Sequence, residues 1–364
     1  MSSHDFTQLI DEITKRRAMI MEYLFADETR ITFAHSHLEQ AVYSYINAGG
    51  KSLRPAVLMF CCGAVGGDEK TAIPAAAAIE LYHTFTLIHD DIIDHDEMRR
   101  NVPTIHVDYE RRGKDELGLS PEAAQNYGLA IAILSGDIQQ GWAASILPDL
   151  YHKHGLPPEL ALNLVQELFH KTQITLINGE TTDVMQSQMP VDQLTEEQVL
   201  SMLQQKTGAL YEFAGRAGAA IGLRQPDLKH PTVEAIAAFT GRCGIAFQIQ
   251  DDILGIIGDE KRLGKPIGSD IREGKRTIII LHSLPLMTKT QREFTLKILG
   301  NRLAKPSDIQ EVSALLQSLG GIDHAKNIAA GYLQEAIAHL NVIENSIYKT
   351  LLETWANYIT ERTL

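Results

Sequence analysis

Residues 74–94 read PAAAAIELYHTFTLIHDDIID, and this stretch decides the fold. Pro74 suits the first turn of a helix. The apolar positions Ala75–Ala78, Leu81, Phe85 and Ile88 then recur at helical spacing up to the carboxylates Asp90, Asp91 and Asp94. A second such helix begins after Pro231 and reaches FQIQDDILG, residues 247–255, with Asp251 and Asp252. Bare carboxylates at the ends of core helices are costly unless a cation compensates them. Two such ends in distant parts of one chain predict two acidic walls facing each other. Oxygen-only donors suit hard divalent cations, and magnesium characteristically keeps waters and binds substrate phosphate as well, with manganese a workable substitute. The residues therefore point to a magnesium–diphosphate site.

Outward from these two segments the 3-4-3 apolar spacing continues nearly everywhere, with no convincing alternating strand. Helices are expected over roughly 5–25, 34–48, 52–65 and 74–94. Breaks are expected at Gly49-Gly50, Gly66–Asp68, Gly113–Pro121, Pro148–Pro158, Met189-Pro190 and Gln225–Pro231. Gly258–Lys275 is expected to be an ordered loop, with helix again after Thr277. No repeat or linker divides the chain, so residues 1–364 read as one domain. The expected fold is all-α, a single large antiparallel helix bundle around a central cavity.

Composition agrees. Hydrophobic content is 44%, charged 22% and aromatic only 6%, a helix-rich globular profile. The net charge of −13 excludes general nucleic-acid binding, which needs a basic face. Cys61, Cys62 and Cys243 have neither metal spacing nor an even disulfide framework. With no signal-like start and no apolar run of membrane-spanning length, the chain reads as a cytoplasmic protein without a transmembrane segment.

On a helix Asp90 and Asp94 share a face and Asp91 turns away, while Gln248, Asp251 and Asp252 point broadly together. A solvated acidic helix end is the plainer alternative, but helix C-termini disfavour negative charge. Basic residues accompany each wall. Arg99-Arg100 follow the first, Lys51 and Arg54 sit beside Gly49-Gly50 at a helix start suited to anions, Lys206-Thr207 lie in an apolar helix, and Lys265 and Lys275 flank the loop after the second wall. His83 gains its interest only from this company.

Taken in order, GKSLRP (50–55), HTFTLIHDDIID (83–94), Arg99-Arg100, GETTD (179–183), Lys206-Thr207, FQIQDD (247–252), LGKP (263–266) and DIREGKRT (270–277) make the chain resemble the trans-isoprenyl diphosphate synthases, or polyprenyl synthetases. The resemblance spans residues 49–277. It implies a homodimer that condenses isopentenyl diphosphate head-to-tail with the allylic dimethylallyl, geranyl or farnesyl diphosphates. By analogy Asp90, Asp94 and Asp251 bind magnesium, supported by Asp91 and Asp252. Arg99, Lys206 and Lys265 hold the allylic diphosphate, while Lys51, Arg54, His83 and Arg100 hold isopentenyl diphosphate. Gln248 and Thr207 line the reacting region, and Lys275 belongs to the closing loop. The chain departs from the family at Gly255, where a third carboxylate is common and for which Asp259 or Asp270 could substitute. It also departs at Asn101, where glycine is usual, and at Glu180, where glutamine is frequent.

The resemblance further implies that bulky side chains on the helix of the first wall set product length, so Tyr82, Phe85 and Thr86 are expected to form the cavity floor. Phe85 and Tyr82 lie roughly 7–8 and 12 Å along the helix from the carboxylates. A two-residue gap between Asp91 and Asp94 with an aromatic five positions before Asp90 resembles archaeal-type geranylgeranyl diphosphate (C20) synthases, with farnesyl diphosphate (C15) synthesis the main competitor. A class I terpene cyclase shares the first acidic motif but has no need of the Lys51, Arg54, His83 and Arg100 set. A non-catalytic regulatory subunit has no need of either wall.

Overall fold

The computed structural model describes residues 6–257 and 268–361. Its helices are α1 (Thr7–Phe25), α2 (Ser36–Asn47), α3 (Leu53–Ala64), α4 (Ile73–Ile93), α5 (Ile105–Leu117), α6 (Pro121–Ile146), α7 (Asp149–His152), α8 (Pro158–Gln166), α9 (Gln173–Gln188), α10 (Glu196–Leu203), α11 (Ala209–Gly222) and α12 (Pro231–Ile257). After the undescribed stretch come α13 (Ser269–Glu273), α14 (Ile278–Ser283), α15 (Lys289–Ile298), α16 (Pro306–Ser318), α17 (Gly321–Ala338) and α18 (Ile347–Glu361). The fold is all-α, and α4 and α12 are its inner helices: α4 packs on α1, α3 and α6, and α12 on α11, α17 and α18. Their Ala- and Gly-rich faces allow the close packing, and Ala75 to Ala78 are wholly buried.

The expected breaks hold, because proline or glycine stands at each: Pro121, Pro158 and Pro231 all open helices. Three local expectations need correcting. A two-residue antiparallel ribbon, β1 (Met98–Arg99) with β2 (Val102–Pro103), follows the first wall. Its loop residues Arg100 and Asn101 have φ of 53° and 63°, the left-handed pair of a tight hairpin, which asparagine tolerates well in place of glycine. The span 258–275 is not loop throughout: Ser269–Glu273 is one helical turn, while residues 258–267, including Lys265 and Asp259, lie outside the described residues. Lys206 and Thr207 sit not in regular α-helix but in a π-helical turn, Gln204–Gly208, between α10 and α11, a local widening frequently found at functional sites. The three cysteines are free and buried, packing as small apolar side chains. Among the described residues no helix is long and apolar enough to cross a membrane.

Candidate active site

The first wall ends α4, and its three aspartates face different partners. Asp91 is buried and accepts hydrogen bonds from Tyr45 Oη and from both Nε (2.7 Å) and Nη2 of Arg99. Arg99 also reaches Asp96 at 3.1 Å. The rotation expected of Asp91 is thus realised, and it holds Arg99 in place beside Asp90, whose carboxylate lies 3.6 Å from the guanidinium. Asp90 and Asp94 point the other way, toward two lysines. Lys206 Nζ stands 3.4 Å from Asp90, 2.7 Å from Asp183 and 2.9 Å from Glu180. Lys275 Nζ stands 3.3 Å from Asp94, 2.8 Å from Glu273 and 3.6 Å from Asp270. Burial alone would lower the pKa of each amine, yet the surrounding carboxylates hold both above the usual lysine range.

Lys206 and Thr207 are consecutive, and between them they join the walls. Thr207 Oγ1 donates to Gln248 Oε1 at 2.9 Å, and Gln248 Nε2 donates to Asp252 at 3.0 Å. A line of polar contacts therefore runs from Asp90 on α4 through the π turn to Asp252 on α12. Asp252 is buried, and burial followed by the nearby Asp270 raises its pKa well above the carboxylate range. Asp251, its neighbour, is half-buried. At Gly255 an added Cβ would meet Asp270 Oδ2 at 2.8 Å, so the Asp270 carboxylate fills the space that the missing third acid of the second motif leaves. A pocket of about 220 Å³ opens beside these groups, lined by Asp94, His95, Asp183, Glu273, Lys275 and Arg302 among others.

Glycine makes the π turn's position attainable. A Cβ on Gly179 would lie 2.3 Å from the Lys206 backbone nitrogen, so only glycine lets α9 approach closely enough for Glu180 and Asp183 to grip the amine. Burial and Asp90 push the Glu180 carboxyl up to about 7 against the pull of Lys206.

A second cluster, cations and an imidazole around the buried Glu80, lies about two helical turns before Asp90, toward the start of α4. Arg54 Nη1 donates to His83 Nε2 at 3.0 Å, and the guanidinium stacks 4.5 Å from the Tyr211 ring centroid. Because arginine only donates, His83 Nε2 is the acceptor and its proton is on Nδ1. Burial, then Arg54 and Arg100, keep its pKa well below the histidine range. Arg100 donates to the carbonyls of Tyr45 (2.9 Å) and Gly49, and a Cβ on Gly50 would strike its guanidinium at 2.7 Å. Lys51, next to Gly50 in sequence, is exposed. Ser52 adopts left-handed φ (44°) at the start of α3 and gives its hydroxyl not to the helix cap but to buried Glu80, at 3.0 Å. Glu80 is the counter-charge of this cluster, with Arg100 and Arg54 its nearest cations.

Tyr82 and Phe85 are buried and meet edge-to-face at 5.2 Å; Tyr82 also contacts Phe169, and Phe85 contacts His89. Thr86 bonds back to the His83 carbonyl at 2.8 Å. The structure thus brings Asp90, Asp91, Asp94, Arg99, Lys206, Thr207, Gln248, Asp252 and Lys275 into one linked set, and Arg54, His83 and Arg100 into a second. Sequence reasoning named Asp270 as a possible stand-in acid and noted Glu180, but passed over Tyr45, Glu80, Asp96, Asp183, Glu273 and Arg302 as site residues. Glu80 carried a signal, as the lone acid in an apolar helical run; Glu180, Asp183, Asp270 and Glu273 stood inside the quoted motifs. Tyr45 and Arg302 carried none.

The donor set fits a hard divalent cation. Asp90, Asp94 and Asp251 offer only oxygen, and desolvation has raised the Asp94 pKa despite Lys275, so added positive charge there would be stabilising.

Comparison with known proteins agrees with this geometry. The polyprenyl synthetase family model matches residues 35–316. A geranylgeranyl diphosphate synthase of Sulfolobus acidocaldarius is 37% identical over 309 residues, covering 85% of each chain. The crystal structure of geranylgeranyl pyrophosphate synthetase from Pyrococcus horikoshii superposes with a TM-score of 0.83 at 33% identity, covering 99% of this chain and 100% of that one. The geranylgeranyl pyrophosphate synthase of Corynebacterium glutamicum, complexed with isoprenyl diphosphate and magnesium, gives a TM-score of 0.82 at 26% identity, covering 97% and 99%. With its two carboxylate-ended helices joined through Lys206-Thr207, this chain belongs to the polyprenyl synthetase family.

Proposed function

We propose that the protein is a magnesium-dependent trans-prenyltransferase that elongates allylic diphosphates with isopentenyl diphosphate, ending at geranylgeranyl diphosphate. The observation that carries this is the pairing of two distinct anion sites on α4. One is the lysine-bridged carboxylate walls, where only a metal-carried diphosphate is at home. The other is the cluster of Arg54, His83 and Arg100, with Lys51 close by in sequence, whose charge suits a second diphosphate. A terpene cyclase handles one diphosphate and has no use for that second cluster.

Asp90, Asp94 and Asp251 would hold magnesium, which supplies charge neutralisation for the departing diphosphate. Arg99, Lys206 and Lys265 hold the allylic diphosphate, with Asp91 and Tyr45 fixing Arg99. As the allylic C–O bond breaks, preorganised cations stabilise the negative charge that develops on the leaving group. Arg54, Arg100 and Lys51 orient isopentenyl diphosphate so that its double bond attacks the allylic carbon, after which a proton is lost to the released diphosphate. Thr207 and Gln248 line this region, Asp252 supports the second wall, and Lys275 closes it. His83, neutral through its environment, accepts from Arg54 and positions it. Tyr82 and Phe85, with Thr86 beside them, form the floor. The whole chain works as one polyprenyl synthetase unit, in the cytoplasm and as a homodimer. Ile133 and Leu134 on α6 and Ile174 and Ile177 on α9 are exposed and offer apolar surface for a second copy.

The test is incubation with magnesium, labelled isopentenyl diphosphate and C5, C10 or C15 allylic primers, followed by dephosphorylation and reverse-phase chromatography. Linear C20 alcohol is expected. C15 or C25 alcohol would overturn the product length, cyclic hydrocarbon without isopentenyl consumption would favour a cyclase, and no turnover a regulatory subunit.

A further inference from the structure

Away from the carboxylate walls, three helices bring Glu196, His282 and His324 together at the surface. Glu196 opens α10, His282 lies in the last turn of α14 and His324 in the first turn of α17. His324 Nε2 is 2.9 and 3.0 Å from the two Glu196 carboxylate oxygens. The imidazoles of His282 and His324 stack with centroids 4.0 Å apart and planes 17° from parallel. One ligand atom from each of the three residues lies within 4.8 Å of the others. All three side chains are half-buried, so the group is enclosed yet reachable. His282 takes no hydrogen bond among the described residues; its one ring contact is the stack on His324.

We propose that Glu196, His282 and His324 form a binding site for a borderline divalent transition-metal ion of the zinc type, separate from the reaction site and independent of its chemistry. Two imidazoles and one carboxylate are the donors such ions prefer, whereas magnesium takes oxygen. Bonds of about 2.0–2.2 Å at tetrahedral angles put two donor atoms on one ion roughly 3.3–3.6 Å apart, so an ion closes the set by drawing the His282 nitrogen inward and opening the 2.9 Å Glu196–His324 contact slightly. Water completes the shell from the solvent side. Binding requires the neutral imidazoles and releases any proton they carry. A plain Glu–His ion pair accounts for Glu196 and His324 but leaves unexplained why a second imidazole lies flat against the first with no partner of its own.

The location gives the ion a structural effect. Glu196 begins the helix that runs into Lys206 and Thr207, His282 follows Lys275 by seven residues, in the helix that begins at Ile278, and α17 packs on α12. An ion here ties together the segments that carry both bridging lysines.

The test is a titration of the full chain with Co2+, in a large excess of Mg2+ to occupy oxygen sites, read by visible absorption, with Zn2+ then added as competitor. One Co2+ per chain with the intense d–d bands of a four- or five-coordinate nitrogen–oxygen site, displaced by Zn2+, is expected. His324→Ala, and the milder Glu196→Gln and His282→Asn, should lose the bands and weaken binding by more than the roughly 10–100-fold seen when only an outer-shell partner is removed. Circular dichroism should match the parent. Should His324→Ala fail to fold, melting with and without Zn2+ decides: the parent gains several degrees and His282→Asn none. Absence of the bands in the parent, or equal Co2+ binding by parent and variants, overturns the proposal.

Discussion

Glu180→Gln should make the metal-free protein more stable, and the gain should depend on pH. Glu180 is well buried, with 16% of its side chain exposed, and its carboxyl is pushed from an ordinary 4.5 to about 7, first by burial and then by Asp90 and Asp183 against Lys206. The folded protein therefore keeps this proton to higher pH than the unfolded chain does. Folding takes up a proton between the two values, so stability falls as pH rises through that window, and above it the full cost of the buried charge is present. A shift of this size corresponds to about 3 kcal/mol at pH 8, shrinking to under about 1 kcal/mol at pH 5. Glutamine keeps the shape and an acceptor for Lys206, which retains Asp183 at 2.7 Å and Asp90 at 3.4 Å. Urea denaturation of parent and variant in EDTA at both pH values reads the difference directly. A variant less stable than the parent at pH 8, or a gain equal at the two pH values, would refute the claim that Glu180 carries a desolvation cost, and would mean its ion pair with Lys206 dominates.

Asp90→Ala or Asp251→Ala should lower turnover by roughly 10²–10³-fold or more, the scale on which preorganised charge stabilisation is lost, with circular dichroism unchanged; near-parental turnover would remove both from the metal-binding role. Phe85→Ala should lengthen the product beyond C20, at a stability cost of about 3–5 kcal/mol for a buried ring, and chromatography showing unaltered chain length would strike Phe85 from the floor. Gly179→Ala should destabilise by about 1–3 kcal/mol, the usual cost of overpacking, and slow turnover too, because its Cβ would sit 2.3 Å from the Lys206 nitrogen. Parental melting and rate together would show that α9 and the π turn can part without consequence.

Helical class and the two acidic helix ends were legible from residues 74–94 and 231–255 alone. Apolar spacing over twenty or more residues specifies a buried helix wherever it occurs, and proline and glycine act on their own local backbone, so the expected breaks hold at Pro121, Pro158 and Pro231. The rotation of Asp91 away from Asp90 and Asp94 follows equally from helix geometry. The tertiary structure decided which charges meet. Nothing local tells Lys206 that it will face Asp90, over a hundred residues earlier, or that Tyr45 will hold Asp91. The π turn that sets Lys206 and Thr207 against opposite walls depends on Gly179 of another helix, and the space at Gly255 is filled by Asp270 only because α13 folds back. Periodicity is a property of each segment's own backbone and can be read in isolation. Charge pairing depends on distances between segments, and only packing of the whole chain sets those.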